Sequence, residues 1–246
     1  MLYLFSIPYF LISGASQAQK LIFDFENDAG LKDWEFIDEA PKNLGDAGPS
    51  TWEIKKRPLD GNSLFQGSNI WGSKADTCLM GTFAIYKAEK FKEFTIEMDV
   101  FATDNDGMGI TWAYESTKKH YRVIMINDGW PEVPVDGIKG PCMKIQKRVS
   151  DDKPWYELIE AEKGITYKEQ TPLHWQFEVK GGEFKLTRED NKVIKGSDKE
   201  YEEGYIGIQL YAQQGHFDNI VIENTWAVDP RKKVSTTWAQ IKKDRN

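Results

Sequence analysis

The sequence predicts an all-β fold, a two-sheet antiparallel sandwich, on three observations. Short runs of alternating apolar and polar residues recur from residue 20 onward, at least ten of them, with turn signals between. No convincing amphipathic helix interrupts them. Aromatic residues make up 13% of the chain, with nine Trp and ten Tyr, a composition shared by β-rich folds and sugar-binding surfaces. At 246 residues a single sandwich is long enough to bury one sizeable core.

The elements follow in order. Residues 1–18 carry no charged side chain, and the apolar run 2–12 is too short to cross a bilayer of about 30 Å as a helix. The run ends in Ser16, Gln17 and Ala18, which predicts a secretory signal cleaved after Ala18. The expected compartment is extracellular or periplasmic, with no membrane span. Residues 21–25 give the first strand. In 95–101, Glu97 and Asp99 share one face while Ile96, Met98 and Val100 take the other. Residues 109–114 and 121–126 follow, joined by the polar turn 115–119. The runs 144–149, 155–160, 174–179 and 183–188 continue the series, and Lys180-Gly181-Gly182 is a hairpin signal between the last two. Residues 193–195, 204–211 and 217–222 complete it. Trp34, Trp52, Trp112 and Trp175 stand beside alternating apolar residues and are expected in the core.

Three segments are expected: the signal at 1–18, the sandwich over 19–224, and a basic C-terminal strap over 225–246. Residues 229–246 hold six basic and two acidic side chains, a local charge of +4 against a formal net charge of −7 for the chain. Trp238 and Ile241 fall on one side of a short helix over 236–243, so the strap is expected to dock through them. The acidic balance of the rest argues against a nucleic-acid partner, which needs a basic footprint.

Cys78 and Cys142 are the only two cysteines. In an oxidising compartment they read as one disulfide or as two buried thiols, and spacing does not choose between these. His120, His174 and His216 lie in separate strand regions with no zinc-binding spacing.

The run Asp104-Asn105-Asp106-Gly107-Met108-Gly109-Ile110-Thr111-Trp112 leads to His120-Tyr121-Arg122-Val123. Near the end stand Gly204-Tyr205-Ile206-Gly207 and Gly215-His216-Phe217-Asp218-Asn219-Ile220. In this order, over residues 20–224, the chain resembles the concanavalin A-like jelly-roll sandwich of lectins and glucanases. The likeness is greatest to the lectin-like C-terminal domain of thrombospondins and its bacterial relatives. The resemblance implies a calcium-stabilised, extracellular, non-catalytic recognition domain.

Calcium needs six to eight hard oxygens. Two constellations offer carboxylates: Asp104, Asn105 and Asp106 on the Gly-rich turn, and Asp24, Glu26 and Asp28 near the first strand with Asp218 on the last. In jelly rolls these terminal strands are commonly neighbours, which lets Glu26 and Asp218 share an ion. An EF-hand fails, because Met108 and Trp112 occupy ligand positions and no helix flanks the loop. The competing reading of Asp104–Asp106 is a solvated turn.

The same sandwich hosts glucanases, so a catalytic reading is weighed too. Glu97 and Asp99 lie two apart on one strand face, as a pair of glycosidase carboxylates would. A further Glu is missing at 101–103, which favours a half-exposed strand face. For sugar stacking, Trp71, Trp130 and Trp155 lie in loop-like contexts. The function expected is therefore a secreted, calcium-stabilised, non-catalytic module binding polysaccharide or matrix and cell-surface partners. The alternative is a glycoside hydrolase or lyase acting on extracellular polysaccharide.

Overall fold

The computed structural model describes residues 19–39, 44–46, 48–58, 60–72, 81–129, 136–149 and 155–225. The signal at 1–18, Cys78, Trp130 and the strap beyond residue 225 therefore lie outside the described residues, and at Trp71 only the backbone is described. In chain order the strands are β1 (Gln19–Phe23), β2 (Trp34–Asp38), β3 (Leu44–Asp46), β4 (Trp52–Lys56), β5 (Asn62–Gln66), β6 (Trp71–Gly72) and β7 (Thr82–Phe91). Then come β8 (Phe94–Ala102), β9 (Gly107–Ser116), β10 (Lys119–Ile126), β11 (Cys142–Arg148) and β12 (Tyr156–Lys163). The last are β13 (Pro172–Lys180), β14 (Glu183–Arg188), β15 (Val193–Ser197), β16 (Gly204–Tyr211) and β17 (Gly215–Asn224). One turn of 3-10 helix, Asp28–Leu31, follows β1, capped by the Asn27 side chain on the Ala29 N–H.

Two antiparallel sheets face each other, as the alternating runs predict. The first runs β15-β14-β13-β8-β17-β5-β4, and β1 also pairs with β17. The N-terminal half of β17 pairs with β5 and its C-terminal half with β1, so first and last strands are neighbours. The second sheet runs β12-β11-β10-β9-β16-β7-β2.

The main core lies between the sheets. Met98, Trp112, Tyr121, Val123, Trp175, Phe177 and Ile208 are among its fully buried side chains. Trp112 sits at its centre, with ring centroids 4.6 Å from Phe177 and 4.8 Å from Phe184. Complete burial of each such ring contributes about 1.5–3 kcal/mol. Trp34, Trp52, Trp112 and Trp175 are all buried, as expected.

Strands β5 and β7 carry no clear alternation, for a physical reason visible at β7. Residues 82–86 are buried on both faces of that strand, so the run reads as continuously apolar rather than half-polar. The first strand ends at Phe23, two residues short of the expected end. Phe25 takes a positive φ of 49° and turns its ring into the core.

A bulge shifts the register where β9 meets β16, with Ala113 at φ 47°. Gly204 lies against it: a Cβ there would stand 2.3 Å from the Ala113 carbonyl carbon. Only glycine fits so close an approach.

Candidate functional site

The outward face of the second sheet is built from the other half of the period-two pattern. In β10, Tyr121, Val123 and Met125 point into the core, so His120, Arg122, Ile124 and Ile126 point the other way. In β11 the outward set is Cys142, Lys144, Gln146 and Arg148. Every one of these outward side chains is buried. The face is therefore a second interior, polar where the main core is apolar. Tyr211 lies across it over Gly107, where a Cβ would meet the Tyr211 ring at 2.0 Å.

Arg122 is the centre of this face. Its Nε and Nη2 donate to Gln146 Oε1 at 2.9 and 2.7 Å, and its Nη1 donates to Gln209 Oε1 at 3.1 Å. The guanidinium carbon lies 3.5 Å from the centroid of the Tyr156 ring. Four strands, β10, β11, β12 and β16, each supply one member of this group. Arg148 donates to Glu39 Oε1 at 3.2 Å, and Glu39 is held in turn by the Gly81 N–H at 3.1 Å. Asp136 accepts from Lys144 Nζ at 2.8 Å and from Gln146 Nε2 at 2.9 Å. The segment after residue 135 is thereby tied onto β11.

The donor directions fix the protonation of the network. Arg122 takes the carbonyl oxygen of Gln209, so the Gln209 amide N–H is left to donate to the Tyr156 hydroxyl at 3.3 Å. That hydroxyl donates to His120 Nε2 at 3.1 Å, and His120 Nδ1–H donates to the Ser116 carbonyl. His120 is thus a neutral imidazole. Burial drives its pKa down to about 3, and the nearby Arg122 and Arg148 charges push the same way against the Ser116 carbonyl. The ensemble offers guanidinium, amide, ammonium and phenol groups in fixed orientation. It contains no side chain set up as a nucleophile.

Glu97 and Asp99, weighed above as the alternative glycosidase pair, have separate partners. Asp99 Oδ1 accepts from His174 Nδ1 at 2.8 Å, and Oδ2 accepts from Asn219 Nδ2 at 2.8 Å with Arg57 Nη1 at 3.5 Å. Burial raises its pKa, but these hydrogen bonds and charges outweigh it and hold the carboxyl below its ordinary value. A general acid requires the opposite shift. Glu97 is exposed to a different partner, Gln176, at 3.0 Å.

The calcium candidates lie among protein donors. Asp218 faces Arg57, whose Nη1 donates to it at 2.8 Å, while Glu26 accepts from the Asn62 N–H at 3.2 Å. Although β1 and β17 are neighbours, Asp218 already has a cation from the protein and Glu26 turns toward β5. Asp28 lies in the 3-10 turn. At the Gly-rich turn, the carbonyl oxygens of Asp104 and Asp106 accept from the Tyr167 hydroxyl at 3.3 and 2.6 Å. Gln213 Nε2 adds a bond to the Asp104 carbonyl at 2.9 Å, and the Asp104 carboxylate accepts from the Asn105 N–H. On this turn both carbonyls and one Asp104 carboxylate oxygen are engaged by protein donors. No group of three or more His, Cys, Asp or Glu side chains able to hold a metal lies among the described residues.

Of the aromatic candidates, Trp155 is half-buried beside β12, and Cys142 is fully buried at the start of β11. Arg122, Gln146, Arg148, Tyr156, Gln209, Glu39 and Asp136 were not singled out from sequence. The signal was present as polar residues at alternate positions of 120–126 and 142–148, inside strands otherwise apolar.

No protein-family model matches the chain, and no curated protein matches it in sequence. Solved structures do share its shape. The carbohydrate-binding module CBM66 from Bacillus subtilis is 17% identical, with a TM-score of 0.54, over 78% of this chain and 95% of that one. A Bacillus subtilis protein of unknown function with a galectin-like fold is 9% identical, with a TM-score of 0.54, over 85% of this chain and 98% of its own. The exoplasmic domain of VIP36, solved with calcium and Man3GlcNAc, is 7% identical at a TM-score of 0.51, over 82% and 88%. At these identities the likeness is one of fold: the chain is a two-sheet antiparallel jelly-roll sandwich.

Proposed function

We propose that this chain is a glycan-binding recognition module without catalytic activity, which uses the outward face of the second sheet. The observation that carries the reading is the group of Arg122, Gln146, Gln209 and Tyr156, one from each of four strands. These buried groups bond one another, so in this reading the network holds the strands of the sheet in fixed register for a sugar rather than touching the sugar itself. The shared fold with a carbohydrate-binding module and with the Man3GlcNAc-bound domain of VIP36 supports the same reading. Export, expected from residues 1–18, would bring the module to polysaccharide or to matrix and cell-surface glycans. A nearer kinship with thrombospondin C-terminal-like domains rests on the motifs at 104–114 and 204–222 and belongs to the proposal. Calcium stabilisation, implied by the family resemblance, belongs to this proposal, with Asp104 and Asp106 beside Asp128 as its carboxylates.

Affinity electrophoresis against a panel of soluble polysaccharides, followed by a glycan array, tests this. Binding by the wild-type chain is expected, weakened about tenfold in Arg122→Lys, which keeps the charge and loses the fork. If Arg122→Lys melts with the wild type and binds equally well, the site is elsewhere. Uniformly blank panels would sink the glycan reading itself.

A further inference from the structure

A cavity of about 200 Å³ opens at one end of the sandwich. It is bounded by the β7–β8 turn, the Gly181-Gly182 turn between β13 and β14, and the segment 198–202 before β16. Phe91, Trp112, Ala113, Val179, Phe184 and Tyr201 make its walls apolar. Most of its charged rim is engaged within the protein. Lys92 pairs with Glu202 at 2.6 Å, Glu93 accepts from the Gly181 N–H at 3.0 Å, and Asp198 accepts from the Tyr121 hydroxyl. A dry cavity of about 150 Å³ accommodates benzene, so this one has room for an indole.

The last strand leads to the mouth of this cavity. Its pairing with β8 runs as far as Asn224↔Phe94. One residue on, the Thr225 N–H donates to the Glu93 carbonyl at 3.1 Å, and Glu93 belongs to the cavity rim. Ile220 and Ile222 of β17 are fully buried in the main core. Alternate residues of a strand share a face, so the inward set continues through 224 to 226. Position 226 is a tryptophan, the first residue after the described part of the chain, and the basic segment follows it. A strand advances about 3.3 Å per residue, so the step from Thr225 to 226 does not carry the chain past the rim.

We infer that Trp226 seats its indole in this end cavity and so fastens the C-terminal strap to the open end of the sandwich. The occupant of the cavity is then the chain itself, and the cavity is closed to other molecules while the strap is in place. The inference is independent of the glycan reading.

The full chain is followed by NMR, with the Trp226 indole assigned by its absence from Trp226→Phe. Nuclear Overhauser cross-peaks are expected from that indole to the Val179 methyl groups and the Phe184 ring, both in the cavity wall. Trp226→Ala should lower the thermal midpoint by about 5–10 °C, the effect of emptying a buried aromatic site. Val179→Phe narrows the seat, so Trp226→Ala should cost much less on that background than in the wild type, because the two changes act on one contact. The inference is overturned if the wild-type indole shows no cross-peak to either wall residue, or if Trp226→Ala melts with the wild type. An equal drop on both backgrounds overturns it as well, by placing Trp226 elsewhere. Should either variant fail to fold, the wild-type cross-peaks decide.

Discussion

The Arg122 guanidinium lies flat enough over Tyr156 to bring its central carbon within 3.5 Å of the ring centroid, while the hydroxyl of that same ring bridges Gln209 and His120. One side chain thus serves the network twice, by its π-face to a buried cation and by its oxygen to two neutral groups. In a desolvated setting a cation–π contact contributes about 2 kcal/mol. The arrangement offsets part of the cost of keeping a charge in an interior where Arg122 is 0% exposed.

Tyr156→Phe separates the two roles. It keeps the ring under Arg122 and removes the oxygen, leaving His120 Nε2 and the Gln209 amide without their bond. A loss of about 1–3 kcal/mol in urea unfolding is expected. An unchanged midpoint would mean that the relay is not formed in solution.

Acid should destabilise the protein through two histidines. Burial lowers His120 to about 3 and His216 to about 4, and neighbouring basic charges add to it in both cases. Above the unfolded value of about 6.5 both states are neutral, so nothing is lost. Between there and pH 4 the unfolded chain takes up protons that the folded chain refuses, so stability falls with falling pH. For His120 alone the loss reaches about 3 kcal/mol by pH 4. Imidazole resonances followed by NMR check this directly: the His120 signal should not titrate between pH 8 and 4.5.

The sheet arrangement was legible because alternation survives wherever one face is wet, as in β8, β13 and β14. In the second sheet the runs 109–114, 121–126 and 144–149 read as strands too, but nothing in them showed that both faces of β9, β10 and β11 are buried. The candidate site shared that obscurity. Arg122 and Gln146 sit 24 residues apart, and only the register Arg122↔Gln146 brings them opposite. Gln209 is a further 63 residues on from Gln146 and arrives through β16, two strands away from β10 and three from β11. Long-range antiparallel pairing has no local signature, so a cluster assembled across strands leaves no motif. The carboxylates were obscure in the opposite sense. Asp99 and Asp218 looked available because sequence shows a charge but not its partner. Arg57, the cation between them, follows β4 and lies 161 residues from Asp218 in the sequence, so no local pattern pairs them.

Asp106 gives the last test, and it runs opposite to the histidines. Burial first, then the charges of Asp128 and Asp104, raise its carboxyl to about 7. A raised acid penalises the folded state above that pH, where the carboxylate must be charged in place, and the penalty fades as pH falls toward the unfolded value of about 4. The side chain is partly exposed, so solvent screening reduces the effect to about 1 kcal/mol. Asp106→Asn removes the charge and keeps the shape, so in EDTA it should raise the melting temperature at pH 8 by a few degrees and leave it almost unchanged at pH 5. The same variant separates the solvated-turn and calcium readings of residues 104–106. On the calcium reading the wild-type midpoint at pH 8 should be several degrees higher in millimolar calcium than in EDTA, a gain lost in Asp106→Asn, because an ion neutralises the three carboxylates. An equal midpoint in both would show instead that Tyr167 and Gln213 hold the turn carbonyls without an ion.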